Sequence, residues 1–239
     1  MSGGAYSALS GMRTRLDELD RIASDLANVS TAGYKTERAA NVTMQRDEFG
    51  EMLDSSVDVM TGKHKIDFSA GALATTGNEL DVAIDGSGFF AVETANGVRY
   101  TRNGSFTRRA DGTLTTAQGE PVLGDGGSEI RLPAGPVTIE ANGTIRSGAA
   151  VVGQLQVTDF ADGDLVRESG ARFRAITGAQ GQPFSGGLIA GALEQANVSA
   201  VDRMAKLTEV SRGFETLQRG INLLMNDLDS KAISDLGRR

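Results

Sequence analysis

Cysteine is absent from this 239-residue sequence, and several classes of protein are excluded with it. Without a thiol the chain has no disulfide framework, no thiolate nucleophile and no cysteine-ligated zinc or iron–sulfur site. His64 is the single histidine, so a multi-histidine metal site is excluded and a Ser-His-Asp triad would have to use that residue. It lies between two lysines in a hydrophilic stretch, which favours an exposed side chain. We therefore predict no catalytic residue, no metal and no cofactor.

Long apolar runs and clusters of positive charge are also missing. No window approaches the ~20 apolar residues needed to cross a bilayer, and the first residues lack a basic stretch followed by an apolar run. The formal net charge is −7 and no cationic stripe stands out. We therefore expect no membrane insertion, no nucleic-acid partner and no cleaved secretory signal, which by these rules is typical of a soluble cytoplasmic protein.

Glycine is abundant, at 31 of 239 residues, and its pattern predicts a β-rich middle region. Asn-Gly and Asp-Gly steps favour type I′ hairpin turns, which need positive φ at both central residues. Seven such steps occur, at Asp85, Asn96, Asn103, Asp111, Asp125, Asn142 and Asp162. Alternating apolar runs predict strands at 80–84, 89–93, 98–102, 137–141, 155–160 and 172–176. Short strands joined by tight turns indicate an antiparallel sandwich or barrel.

Both ends carry a heptad stripe instead, with apolar residues at alternating steps of three and four. The stripes predict helices over 5–27 and 199–230, the second capped by Ser199 with Asp202 three residues on. A strict 3.5-residue period favours coiled-coil pairing of the two ends. The predicted assembly interface is the two stripes: Leu9, Met12, Leu16, Leu19, Leu26, Leu207, Val210, Phe214, Leu217, Ile221, Leu224 and Leu228.

The fold class predicted from these patterns is α+β, with a β domain inserted between terminal helices. The expected divisions are an N-terminal helix and turn (1–38), an extended acidic connector (39–75), a β domain (76–190) and a C-terminal helix (191–239). Residues 39–198 carry 12 basic and 20 acidic side chains, whereas both helical ends are nearly neutral. We therefore expect the β domain to face solvent and the helical ends to pack together.

One pair of carboxylates suggests chemistry. Asp81 and Asp85 share one face of a predicted strand and would be the acids of a carboxylate-dependent hydrolase. Leu80, Val82 and Ile84 occupy the opposite face, so we interpret the two aspartates as a solvated surface.

Four ordered segments resemble the axial proteins of the bacterial flagellum, the rod and hook components. They are LANVSTAGYK (26–35), LDVAIDGSGFFAV (80–92), YTRNGSFTRRADGTL (100–114) and GALEQANVSAVDRMAKL (191–207). The signature residues in these segments are Asn28, Ser30, Gly33, Tyr34, Asn103, Gly104, Asn197 and Val198. Overall length and the run VLGDGGSEIRLP (122–133) indicate the proximal-rod type, with a distal-rod or rod–hook component as the alternative.

The resemblance implies a structural subunit of the basal-body rod in the periplasmic space. Its partners would be copies of itself, other rod proteins and the flagellar type III export apparatus. The terminal helices would form an inner tube around the export channel and transmit torque, while the β domain faces outward. Apolar residues off the stripes would then contact neighbouring subunits. These residues are Ile22, Met204, Leu223 and Met225.

Overall fold

A computed structural model describes residues 2–39 and 64–236. Contacts divide the chain into two compact units. The helical unit comprises residues 1–26, 39–64 and 199–239, and the β unit comprises residues 27–38 and 65–198. The predicted β domain, residues 76–190, lies within the second unit.

The two predicted helices are both present. α1 spans Ser2–Ala27 and α2 spans Ala200–Leu236, so the second helix extends past the predicted end at Ser230. The N–H of Asp202 donates to Ser199 Oγ at 3.3 Å, which confirms Ser199 as the cap of α2. Within the described residues, neither helix is apolar over enough consecutive residues to cross a membrane.

The strands are short and alternate with tight turns. In chain order they are β1 (Glu37–Ala39), β2 (His64–Ile66), β3 (Leu73–Thr75), β4 (Val82–Asp85), β5 (Phe89–Thr94), β6 (Gly97–Thr101), β7 (Phe106–Arg108), β8 (Leu114–Thr116), β9 (Thr138–Ile139), β10 (Thr144–Ser147), β11 (Ala150–Gln154), β12 (Val157–Asp159), β13 (Leu165–Ser169), β14 (Arg172–Ala175), β15 (Gln182–Pro183), β16 (Gly187–Ala190) and β17 (Ala192–Glu194). All six predicted strand regions contain an observed strand. Strands β2 and β3 lie in the predicted connector, of which residues 40–63 are outside the described part of the chain.

The largest sheet has six strands in the order β13-β14-β6-β5-β12-β15, all antiparallel. A three-stranded sheet, β11-β10-β9, and the pairs β16-β4, β17-β3, β7-β8 and β1-β2 complete the described pairings. The main core contains Phe90, Val92, Phe106 and Ile145, all nearly free of solvent contact. A second cluster is formed by Ile66, Phe89, Leu165 and Phe173. The β unit therefore completes apolar cores of its own.

The glycine has a positive φ at six of the seven Asn-Gly and Asp-Gly steps, but only some of these steps join strands that pair with each other. Gly97, Gly112 and Gly143 have φ between 85° and 89° and connect β5 to β6, β7 to β8 and β9 to β10. The hairpin prediction is wrong at Asp85, Asn103 and Asp162, whose flanking strands do not pair with each other. Gly104 lies against the backbone of Val82, whose N–H donates to the Gly104 carbonyl at 3.0 Å. A glycine is needed there because a Cβ would lie 1.8 Å from the Val82 oxygen.

Candidate functional site

Three of the four signature segments form a junction in the β unit, and the fourth, 80–92, contacts it through the Gly86 carbonyl, which accepts from Arg102 Nη2 at 2.7 Å. We define the N-terminal arm as residues 28–37 and the C-terminal arm as residues 191–198. The arms are joined by backbone hydrogen bonds, from the Gly33 N–H to the Glu194 carbonyl at 2.7 Å and from the Asn197 N–H to the Tyr34 carbonyl at 3.2 Å. The end of β6 contributes the third segment, around Arg102.

Asn197 fixes the two arms to the segment between β2 and β3. Its Oδ1 accepts from the Thr36 N–H at 2.8 Å, and its Nδ2 donates to the Asp67 carbonyl at 2.8 Å. The amide thus joins three stretches of backbone far apart in sequence, which explains an asparagine at this signature position. The next signature residue, Val198, is half-buried.

Gly33 is held between the arm and β6. Its φ of +68° lies in the left-handed region that favours glycine. A Cβ there would lie 2.3 Å from the Arg102 carbonyl carbon and 2.5 Å from the Asn103 nitrogen. The signature glycine therefore meets two requirements at once, the conformation and the close backbone approach.

A buried ion cluster lies where the three segments meet. Lys35 Nζ donates to Glu194 Oε1 at 2.5 Å, and Arg102 Nη1 donates to Glu194 Oε2 at 3.1 Å. The side chains of all three residues are at most 4% exposed. The Gly71 N–H donates to Glu194 Oε1 at 2.8 Å, and Lys35 Nζ donates to the Ser69 carbonyl at 2.7 Å. One carboxylate therefore binds two cations at a buried site.

This arrangement shifts two pKa values. Burial alone would raise the pKa of Glu194, but the hydrogen bonds from Lys35 and Gly71 and the charge of Arg102 outweigh burial, so the pKa lies below its ordinary value. For Lys35, burial is the largest influence and lowers the pKa, against the opposing effect of the Glu194 carboxylate; the nearby Arg102 lowers it further. The ionised form of Glu194 is therefore stabilised by two cations, whereas Lys35 shares its one carboxylate with Arg102.

Tyr34 and Arg167 form a stacked pair beside this cluster. The Arg167 guanidinium lies 4.6 Å from the centre of the Tyr34 ring and also contacts the Phe173 ring at 5.4 Å. Its Nε donates to Glu37 Oε1 at 2.7 Å, and its Nη2 donates to the Lys35 carbonyl. A cation over an aromatic face is favourable, and a planar fork lets it reach the backbone as well. Arg167 thereby holds the N-terminal arm against β13 and β14.

The remaining signature residues make local turns. The Asn28 carbonyl accepts from the Thr31 N–H at 2.9 Å, directly after α1 ends, while Ser30 is exposed. Asn103 Oδ1 accepts from the Ser105 N–H at 3.0 Å. Asn28, Thr31, Asn103 and Arg172 line a polar pocket of about 220 Å³ in the β unit.

The two helices contact each other through ion pairs in the helical unit. Arg203 Nε lies 3.1 Å from Asp25 Oδ2, and Lys206 Nζ lies 3.9 Å from Glu18 Oε1. Positions rise along α2 as they fall along α1, so the helices run antiparallel. The Asp25 side chain is 4% exposed, which makes its pairing with Arg203 the more shielded of the two.

The predicted seam residues differ in burial. Val210 is buried and Leu16 is 46% exposed. The half-buried members are Met12, Leu19, Leu26, Leu207, Phe214, Leu217 and Ile221. Leu9, Leu224 and Leu228 lie in the helices, but their side chains are outside the described part. The expectation that Ile22 needs a neighbouring subunit is wrong, since it is 3% exposed within the chain. Met204 and Leu223 are exposed as expected; Met225 is outside the described side chains.

The two aspartates of the hydrolase alternative do not share a surface. Asp81 is 5% exposed, so the prediction of a solvated face is wrong for it. Its Oδ1 accepts from Asn78 Nδ2 at 3.1 Å, and its backbone bridges to Ser105, which covers the strand on that side. Asp85 is exposed, as expected. One carboxylate is therefore a satisfied structural group and the other a surface group.

The chain is 34% identical to the flagellar basal-body rod protein FlgF of Caulobacter vibrioides, over all of this chain and 99% of that protein. The chain belongs to the family of flagellar basal-body rod proteins. It is also 32% identical to FlgF of Rhizobium meliloti over 99% of each chain, and 31% identical to the rod protein FlgG of Bacillus subtilis over 88% of this chain and 90% of that one. Residues 83–147 match the family described as the flagellar hook protein FlgE/F/G D1 domain, and residues 189–233 match the flagellar basal body rod FlgEFG protein C-terminal family. This rod protein is accordingly a structural subunit of the basal-body rod.

Sequence reasoning missed the three charged residues at the centre of the rod protein's arm junction. Lys35, Arg102 and Glu194 each lie within a quoted signature segment, yet none was singled out. A partial signal was present in the first segment, where Lys35 is the one charged residue, but the other two segments carry four charged residues each. Their pairing spans up to 159 residues, and no local pattern reveals a contact at that distance.

Proposed function

We propose that this chain is a subunit of the proximal rod and assembles into a helical shaft through α1 and α2. The assembled helices enclose the export channel and transmit torque, and the β unit faces outward. The chain leaves the cell through the flagellar type III export apparatus and assembles in the periplasm with copies of itself and with other rod and hook components. No catalytic step is part of this function.

The observation that carries the proposal is the apolar surface left on the helices. Val201 is 77% exposed, Met204 55%, Leu223 71% and the seam residue Leu16 46%. The ion pairs that join α1 and α2, Asp25–Arg203 and Glu18–Lys206, do not cover these side chains. Burying exposed leucine and methionine side chains against neighbouring subunits would supply a favourable free energy of about 1.5–3 kcal/mol each. Coiled-coil pairing along the stripes belongs to this proposal.

The coverage of the relatives supports the proximal position. Two FlgF proteins match over at least 99% of both chains, whereas the FlgF of Salmonella typhimurium and the FlgG of Bacillus subtilis match 90% and 88% of this one. A distal-rod or rod–hook component is the second candidate. Electron microscopy of isolated basal bodies carrying a tagged subunit separates the two, because label in the distal half of the rod would exclude the proximal position.

The assembly role is tested by placing a charge on the seam. Leu16→Asp and Leu217→Asp would bury an unpaired carboxylate in the assembled helices, which costs several kcal/mol per subunit. We expect both variants to fold their β unit as the wild type does but to build no rod and support no motility. Gln218→Asp is the matched control, since Gln218 is exposed and adjacent to Leu217. Normal motility with Leu16→Asp and Leu217→Asp would refute assembly through this seam.

A further inference from the structure

The last two strands of the β unit, β16 and β17, pair with strands near its beginning, β4 and β3. β16 pairs with β4 along its whole length, and β17 pairs with β3, so that Glu194 lies opposite Leu73. By contrast, β5–β6, β7–β8, β10–β11 and β13–β14 join strands that are consecutive in sequence. Among the described strands, β3 and β4 have no ladder partner other than β17 and β16. The ladders of β3 and β4 therefore depend on residues 187–194, and that of β3 depends on the C-terminal arm itself.

The buried charges of Lys35 and Arg102 also depend on the C-terminal arm, which carries Glu194. Lys35 Nζ and Arg102 Nη1 both donate to the carboxylate of Glu194, and both side chains are buried. Their other side-chain hydrogen bonds go to neutral acceptors, from Lys35 to the Ser69 carbonyl and from Arg102 to the Gly86 carbonyl. Two neighbouring cations buried without an anion are strongly unfavourable. Before Glu194 arrives, the site around Lys35 and Arg102 cannot close without that cost.

The C-terminal arm packs closely against the backbone around Gly71. Gly71 faces the C-terminal arm so closely that a Cβ would lie 1.9 Å from the Gln195 carbonyl oxygen. The Gly71 N–H also donates to Glu194 Oε1 at 2.8 Å, and the Gln195 N–H donates to the Ala72 carbonyl at 2.8 Å. The arm therefore lies directly over residues 71–72 and covers the cluster as it docks.

We propose that Glu194 is the closing contact of the β unit: the C-terminal arm docks last, and its carboxylate locks the N-terminal arm and β6 in place. Until then β3 lacks its partner and the unit stays open around Lys35 and Arg102. The proposal concerns the folding of the β unit and holds whatever the position of the chain in the rod.

Amide hydrogen exchange of the full chain, resolved by segment, tests where the lock acts. Glu194→Gln should raise exchange by at least tenfold in β3, β4, β16 and β17, while β5, β13 and β14 change much less. Glu168→Gln is the matched control, because Glu168 also binds an arginine, accepting from Arg99 Nε at 2.6 Å and Nη2 at 3.0 Å, but is partly exposed. Its effect should be confined to β6, β13 and β14. A uniform rise across the β unit with Glu194→Gln would overturn the proposal.

Folding and unfolding rates test when the arm docks. A contact made after the transition state changes mainly the unfolding rate. We expect Glu194→Gln to unfold about a hundredfold faster or more, with a refolding rate within about threefold of the wild type. A refolding rate that falls as much as the unfolding rate rises would show early docking and overturn the proposal.

Variants of Lys35 test the charge argument and keep the proposal decidable if Glu194→Gln fails to fold. Lys35→Met leaves Glu194 paired with Arg102, one charge of each sign, and should unfold far less readily than Glu194→Gln. The double variant Lys35→Met/Glu194→Gln leaves one orphaned cation instead of two, so it should recover at least about tenfold of the lost kinetic stability. If Lys35→Met is as damaging as Glu194→Gln, or the double variant recovers nothing, unpaired cations are not what the arm neutralises.

Discussion

Replacing Gly33 with alanine separates the two constraints that the structure places on this signature residue. The φ of Gly33 is +68°, and a Cβ would lie 2.3–2.6 Å from three backbone atoms of Arg102 and Asn103. Two other glycines carry one constraint each. Gly77 has φ +72° with nothing within 4 Å of a Cβ, and Gly104 has no positive φ but would place a Cβ 1.8 Å from the Val82 oxygen. The three alanine variants thus form a matched set.

The magnitudes follow from these distances. The left-handed conformation costs alanine about 1–2 kcal/mol, of which about 0.4–1 kcal/mol is returned through the less flexible unfolded chain. Gly77→Ala should therefore lose about 1 kcal/mol. Gly33→Ala adds the displacement of β6 backbone, at about 1–3 kcal/mol for an overpacked site, and should lose about 3 kcal/mol.

Calorimetric melting of the full chain measures the difference. For a domain of this size each kcal/mol corresponds to a shift of about 2–4 °C in melting temperature, so Gly33→Ala should melt roughly 6–12 °C below the wild type and Gly77→Ala roughly 2–4 °C below it. Gly104→Ala, with the contact alone, should lie nearer to Gly33→Ala. If Gly33→Ala and Gly77→Ala melt together, the approach to Arg102 and Asn103 is not a constraint and the reasoning fails.

Two further predictions concern the arm junction. The pKa of Glu194 lies below its ordinary value of 4.5, so the unfolded chain binds the proton first as the pH falls; stability from this carboxylate is present above about pH 4.5 and is lost as the pH falls through the folded pKa. In an acid titration of the melting temperature, the gap between wild type and Glu194→Gln should therefore narrow below pH 4.5, and a constant gap would contradict the assignment. Arg167→Lys keeps the charge but loses the planar contact with Tyr34 and Phe173 and the fork that reaches the Lys35 carbonyl, so it should lose about 1–3 kcal/mol in urea unfolding. The exposed Arg174→Lys is its control and should change stability by less than about 0.5 kcal/mol.

The sequence was sufficient to predict elements whose signal is local. Heptad spacing placed both helices, and Ser199 marked the start of α2 because a cap bonds within three residues of itself. Alternation and Asn-Gly steps placed the strands and the turns at Gly97, Gly112 and Gly143. Both the pattern and the structure it predicts lie within a few residues in each case.

The misinterpretations concern residues whose role is set by distant backbone. Asn103-Gly104 carries a hairpin signal, but Gly104 is a glycine because Val82 lies against it, not because a turn needs it. Asp81 alternates with apolar residues as a surface group would, yet β4 is covered on both sides, with Val82, Ala83 and Ile84 all buried. Ile22 lies off the heptad stripe and is nevertheless buried. The alternation and heptad rules assume that one face of a strand or helix is exposed to solvent. At these positions both faces are covered by other parts of the chain.

The two units differ in the side chains that they leave exposed to solvent. In the β unit the apolar cores are closed, and even its buried charges are neutralised by partners within the unit, as Glu194 is by Lys35 and Arg102. In the helical unit Val201, Met204 and Leu223 remain more than half exposed beside shielded ion pairs. The β unit also leaves apolar side chains at its surface, among them Val151 and Leu73, and on either unit such side chains gain free energy when a neighbour buries them. Val201 and Leu223 are the most exposed large apolar side chains in the described part of the chain, so assembly of the rod is expected to depend on the helices.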